Sequence, residues 1–127
     1  MKLSDFELEV MQHFWDADPR SAPEIHELVQ VNRTAAYGTV KTIIDRLEAK
    51  GALLRFKQVG RTILYQPAIE KSTVSQKLVP DLIRYLFKGN PKNLITQLLV
   101  DEELETDDIE HIKQLLSQIE SEKKKRD

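Results

Sequence analysis

A mainly α-helical fold, with a single β-hairpin placed after the third helix, is predicted by three observations. Apolar residues recur at helical spacing through most of the 127 residues. That rhythm is broken once, where two short runs, Leu53–Lys57 and Thr62–Gln66, flank a turn at Val59-Gly60. Charge is also sorted into blocks. Residues 33–65 carry seven cations against two acids inside a chain whose formal net charge is −2.

The first helix is announced by Ser4-Asp5-Phe6-Glu7, a capping box in which the Ser4 hydroxyl accepts from the Glu7 amide and the Glu7 carboxylate reaches back to the Ser4 amide. Leu3 and Leu8 occupy the staple positions, and Phe6, Val10, Met11, Phe14 and Trp15 form the apolar stripe. Asp18-Pro19 ends it, because a residue before proline avoids helical dihedrals. Ser21-Ala22-Pro23-Glu24 is a second capping box, and Ile25, Leu28 and Val29 face inward from the second helix. Val31-Asn32-Arg33 turns the chain, and Thr34 is the expected cap of the third helix. There Val40, Ile43, Ile44 and Leu47 share one side, and Gly38, Lys41, Thr42 and Asp45 the other. Gly51 is a left-handed stop. In the hairpin, alternation assigns Phe56, Ile63 and Tyr65 to the packed face.

Beyond Pro67 the character changes. Ala68–Ser72 is expected to be a linker. A helix over Ser72–Phe87 follows, interrupted or restarted at Pro80 and broken at Gly89-Asn90-Pro91. Leu94, Ile95, Leu98 and Leu99 mark another short helix. Thr106 caps the last one, with Asp107 and Asp108 favourably placed in its first turn, and Glu122–Asp127 is expected to fray. Three short amphipathic helices are too few to bury their own stripes. Leu82, Ile83, Leu86, Leu94, Leu98, Ile109, Ile112 and Leu116 are therefore expected to meet a second copy of the chain. The expected organisation is a winged helix-turn-helix over residues 1–71 and a helical dimerisation region over residues 72–127.

Several function classes fall away. Without cysteine there is neither a disulfide framework nor a thiolate metal site. His13, His26 and His111 lie on three different helices, and Asp107 with His111 makes at most half a metal site. No nucleophile–base–acid order and no glycine-rich phosphate loop appears, so neither an enzyme nor a cofactor is expected. No apolar run is long enough to enter a membrane, no secretory signal opens the chain, and the expected compartment is the cytoplasm.

The basic block fits double-stranded DNA. A helix can enter the major groove while the ribbon after it lies along phosphates. Thr39, Lys41 and Thr42 are the candidate base contacts, and Gly38 permits close approach. Arg33, Arg46, Arg55, Lys57 and Arg61 are the candidate phosphate contacts. Tyr37 either touches phosphate or packs on the second helix, and Lys50 is expected to complement the helix dipole. A winged helix that docks an acidic protein is the alternative from a different class. A repressor answering to a small-molecule effector is another.

These residues resemble the penicillinase-repressor (BlaI/MecI) family. The similarity is carried by Glu7-Leu8-Glu9-Val10-Met11 through Trp15, by Ser21-Ala22, and by Thr39-Val40-Lys41-Thr42-Ile43-Ile44-Asp45-Arg46-Leu47 through Lys50-Gly51. The hairpin ending in Tyr65, the stretch Leu94 to Leu99, Glu103-Leu104 and Ile109-Glu110 complete it. The resemblance implies a homodimeric transcriptional repressor on a palindromic operator, controlling genes of the β-lactam-resistance type. It further implies release after a membrane metallopeptidase sensor, or another protease, triggers cleavage of the dimer arm. The matching bond here is Gln97–Leu98, where the family pattern is Asn-Phe. The copper-sensing branch uses a cysteine cluster that this chain lacks.

Overall fold

The computed structural model describes residues 2–126. Along the chain run α1 (Asp5–Asp16), β1 (Arg20–Ser21), α2 (Ala22–Val29), α3 (Tyr37–Ala49), β2 (Leu53–Val59) and β3 (Thr62–Pro67). They are followed by α4 (Lys71–Leu86), α5 (Pro91–Thr96), a π-helical turn (Gln97–Asp101) and α6 (Thr106–Arg126). Two compact units, Met1–Leu78 and Val79–Asp127, divide within α4. The boundary expected at 71/72 lies at the first turn of that helix.

In the first unit both capping boxes form as the sequence requires. The Glu7 amide donates to Ser4 Oγ at 3.2 Å and the Ser4 amide to Glu7 Oε1 at 2.8 Å. Ser21 and Glu24 repeat the pattern, with Pro23 in the first turn of α2. Val10, Met11 and Phe14 of α1, Ile25 and Val29 of α2, and Val40, Ile44 and Leu47 of α3 are fully buried together with Leu53 and Tyr65 of the sheet. Each such side chain contributes about 1.5–3 kcal/mol relative to exposure. Phe14 and Tyr65 meet edge to face, centroids 6.4 Å apart, which fastens the sheet to α1.

The sheet has three antiparallel strands in the order β1-β3-β2. β1 escapes the periodicity argument because two residues carry no alternation, yet Arg20 pairs with Tyr65 and Ser21 with Leu64. Phe56 is not on the packed face; it is 54% exposed. The register runs Arg55–Tyr65 and then Lys57–Leu64, so Phe56 is the extra residue of a β-bulge. A bulge interrupts the two-residue alternation on which the expectation rested.

Other expectations need correction. Thr34 does not cap α3: the cap position is Ala36, with no side-chain bond. Ala68–Ser72 is not a free linker. The Ala68 amide donates to Ala52 O at 2.8 Å, Trp15 Nε1 donates to Ile69 O at 3.0 Å, and α4 already begins at Lys71. Pro80 neither interrupts nor restarts the helix; α4 runs through it, at the cost of one backbone donor on an exposed surface. The short helix at Leu94 is α-helical only to Thr96 and then widens into the π-helical turn. The tail remains helical to Arg126, and Asp127 lies outside the described residues.

Candidate nucleic-acid interface

The start of α3 is fixed from α2. Gln30 brackets Ala35, its side-chain amide donating to the Ala35 carbonyl while the Ala35 amide donates back to Gln30 Oε1. His26 Nε2 also lies 2.9 Å from that carbonyl, and the Tyr37 ring packs edge-on against His26. Tyr37 thus packs on α2, one of its two expected positions. Gln30 and His26 were not legible in the sequence, because a polar side chain gripping a backbone five or nine residues on leaves no periodic mark.

The far end of α3 is pinned to α1. Gly51 takes φ +82° and turns the chain into β2. Lys50 Nζ donates to Glu7 Oε1 at 2.6 Å and to Lys2 O at 3.0 Å. It bridges two helices, which is more than the dipole role expected of it. Burial pushes the Glu7 carboxyl up, but hydrogen bonds from Lys50 and Ser4 outweigh that and hold it below the ordinary carboxylate range.

Between these anchors the outer face of α3 is open. Thr39, Thr42, Asp45 and Arg46 are exposed, and Lys41 is half-buried. A Cβ built on Gly38 would meet nothing within 4 Å, so no packing inside the protein calls for glycine there. Thr42 Oγ1 donates to Gly38 O at 2.8 Å, which leaves the hydroxyl oxygen free to accept. Lys41 donates to Asp45, one turn on. That bond is the first cause holding the ammonium above the ordinary lysine range, against the opposing pull of burial.

The hairpin flanks this face. Arg55 pairs with Glu48 at 2.8 Å, and its guanidinium is pushed further above its ordinary value by that hydrogen bond. Lys57 is exposed on β2, and Arg61 is exposed at the tip beside Gly60, whose φ of +62° makes the turn. Arg33 lies apart from the hairpin, bonded to Glu9 at 3.0 Å and stacked 4.1 Å over the Phe6 ring. Of the five candidate phosphate contacts, Arg46, Lys57 and Arg61 therefore have no ion-pair partner among the described residues. The Lys41–Asp45 pair was legible from i, i+4 spacing. The Arg55–Glu48 and Arg33–Glu9 pairs join different elements and were not.

In the second unit, taken by itself, Leu82, Leu86, Leu98, Ile109 and Leu116 are exposed, and Ile83, Leu94 and Ile112 are half-buried. Gln97 and Leu98 open the π-helical turn. Among the described residues no group of three or more His, Cys, Asp or Glu could hold a metal ion, and no helix is long and apolar enough to cross a membrane.

The family model described as "Penicillinase repressor" matches residues 3–118. The methicillin resistance regulatory protein MecI of Mammaliicoccus sciuri is 30% identical over 116 residues, covering 91% of this chain and 94% of that one. The penicillinase repressor of Bacillus licheniformis is 27% identical over 123 residues, covering 97% and 95%. Among solved structures, the DNA-binding domain of the repressor BlaI superposes with a TM-score of 0.51 at 35% identity, over 56% of this chain and 85% of that one. The winged helix-turn-helix with its basic hairpin and a sequence match over nearly the whole length agree: this chain belongs to the penicillinase-repressor family.

Proposed function

We propose that the protein represses transcription as a homodimer on a palindromic operator, with one α3 helix in each of two successive major grooves. The family is one of repressors, not of enzymes. The observation that carries the reading is the open face between the two ends of α3, with Arg46, Lys57 and Arg61 exposed beside it and without an ion-pair partner among the described residues. In this reading Thr39, Lys41 and Thr42 meet base edges, and Arg33, Arg46, Arg55, Lys57 and Arg61 meet phosphates. Gly38, in the first turn of α3, has open space in front of it, which leaves room for close approach of a duplex.

Residues 1–71 are the DNA-binding part, and residues 72–127 hold the two copies together. The apolar stripes of α4, α5 and α6, none of which contains a buried residue, support this assignment. Cutting at Gln97–Leu98, by a membrane metallopeptidase sensor or another protease, would sever the arm and release the operator. The π-helical turn at that bond, with Leu98, Leu99 and Val100 exposed, supports the site, since π-turns are rare and concentrate at functional positions. The compartment is the cytoplasm and the regulated genes are of the β-lactam-resistance type.

Enrichment of random duplex DNA by the full chain, followed by affinity measurements across a salt series, tests the proposal. With roughly four phosphates neutralised per subunit, log affinity falls against log salt with a slope of about −7 for the dimer. The enriched sequence is an inverted repeat with half-sites about 34 Å apart. A slope near zero removes the DNA-binding reading. Arg61→Ala lowers affinity for every duplex alike and makes the slope shallower by about 0.9 for each phosphate left without its cation.

A further inference from the structure

The outer face of α3 holds an acid where DNA would lie. Asp45 is exposed, with its side chain 54% accessible, and its one polar partner among the described residues is Lys41. A carboxylate facing a duplex is repelled by phosphates unless it is neutralised and can accept a hydrogen bond from a base. Lys41 supplies the neutralisation. Helix stability gives little reason for the pair: Asp45 is exposed, and the order, cation before acid at i, i+4, is the less favourable one.

We propose that Asp45 and Lys41 act together as a specificity-determining pair that reads one G·C base pair in each half-site. The ammonium faces guanine N7 and O6, and the carboxylate accepts from the cytosine N4 amino group. This rests on the DNA-binding reading above and adds a residue to it. The choice of base pair follows from the pattern of edges in the major groove. Across a G·C pair the groups run acceptor, acceptor, donor. Across an A·T pair they run acceptor, donor, acceptor, then the thymine methyl. An ammonium, with three N–H donors, bonded to a carboxylate matches all three groups of the first order. Over A·T the same pair matches only adenine N7 and N6 and leaves thymine O4 facing no donor, so G·C offers one bond more. Asp45 lies one turn beyond Lys41, but its carboxylate reaches back to the ammonium, so both polar ends arrive at the same level of the groove.

The pair reaches DNA with no net charge, so Lys41 adds nothing to the salt dependence while Asp45 is present. Asp45→Ala separates the two effects. Random-duplex enrichment and a salt series are run on the full-length wild type and on this variant. Asp45 packs against nothing in the core, so the variant keeps the wild-type circular dichroism spectrum. It loses one G·C preference per half-site, discrimination there falling roughly tenfold or more, and the rest of the motif is unchanged. Its affinity for random duplex rises, and the salt slope steepens by about 0.9 per subunit as the freed Lys41 takes a phosphate. An unchanged motif with unchanged discrimination at every position would overturn this inference while leaving DNA binding intact. Failure of the wild type to bind any duplex in a salt-dependent way would overturn the underlying reading, and the pair with it.

Discussion

Polar side chains in this fold do their work in pairs, and the partner decides the role. Lys50 and Arg46 are both cations near the end of α3, yet Lys50 is bonded to Glu7 and Lys2 while Arg46 is left exposed without an acid partner among the described residues. Glu7 is 3% exposed, and Glu7 Oε2 has no partner among the described residues, so the carboxylate depends on what Oε1 receives from Ser4 and Lys50. Its ionisation lies below the ordinary carboxylate range in the folded chain. A group so depressed adds stability that is present above its unfolded value, about 4.3, and is lost as pH falls through the lower folded value. Lys50→Met removes the cation and leaves the burial that opposes charge. Denaturant unfolding at neutral pH should show a loss of about 1–3 kcal/mol. Between about pH 5 and the acid end, the variant's stability should fall less steeply than the wild type's. Parallel pH curves for the two proteins would show that Glu7 does not depend on Lys50.

Elements were legible where their signal is local. Both capping boxes, the glycine stop at Gly51, the buried faces of α1, α2 and α3 and the position of the hairpin follow from residues close together in the chain. What escaped is set by partners distant in sequence. β1 exists because β3 offers it an edge, the start of α3 because α2 grips Ala35, and the join at Ile69 because Trp15 bonds its carbonyl. The bulge at Phe56 belongs to the same group, since alternation cannot foresee an extra residue. The candidate site divides in the same way: the face of α3 was readable from a helical projection, but which cations are held by acids was not. A pair of substitutions tests the bulge. Phe56→Ser should change unfolding stability by no more than about 0.5 kcal/mol, as at an ordinary surface position. Tyr65→Ala, on the neighbouring strand but fully buried against Phe14, should cost about 3–5 kcal/mol. Similar losses for both would mean that Phe56 is packed and the register continuous.

At the scale of the whole molecule, the contrast is between a unit with its own core and one without. Residues 2–78 bury a continuous apolar cluster, whereas α5, the π-helical turn and α6 contain no buried residue at all. Most of an amphipathic helix's stability comes from packing its apolar face against another surface, not from its length. A stable interface between copies removes about 1,200–2,000 Å² from solvent, and the exposed Leu82, Leu86, Leu98, Ile109 and Leu116 offer apolar area for it. Dimerisation would in turn set operator affinity, because the second half-site is then bound from within the complex, a gain of roughly 10²–10⁴ without any further interaction with DNA. Placing a charge in the stripe should remove that gain and nothing else. The full-length double variant Leu82→Asp, Leu116→Asp should sediment as a monomer and bind a single half-site as the wild type does. On the two-half-site duplex its affinity should drop by roughly two orders of magnitude or more. Equal losses on both duplexes would mean that the arm supports the DNA-binding unit itself, and a variant still dimeric would place the interface elsewhere in the chain.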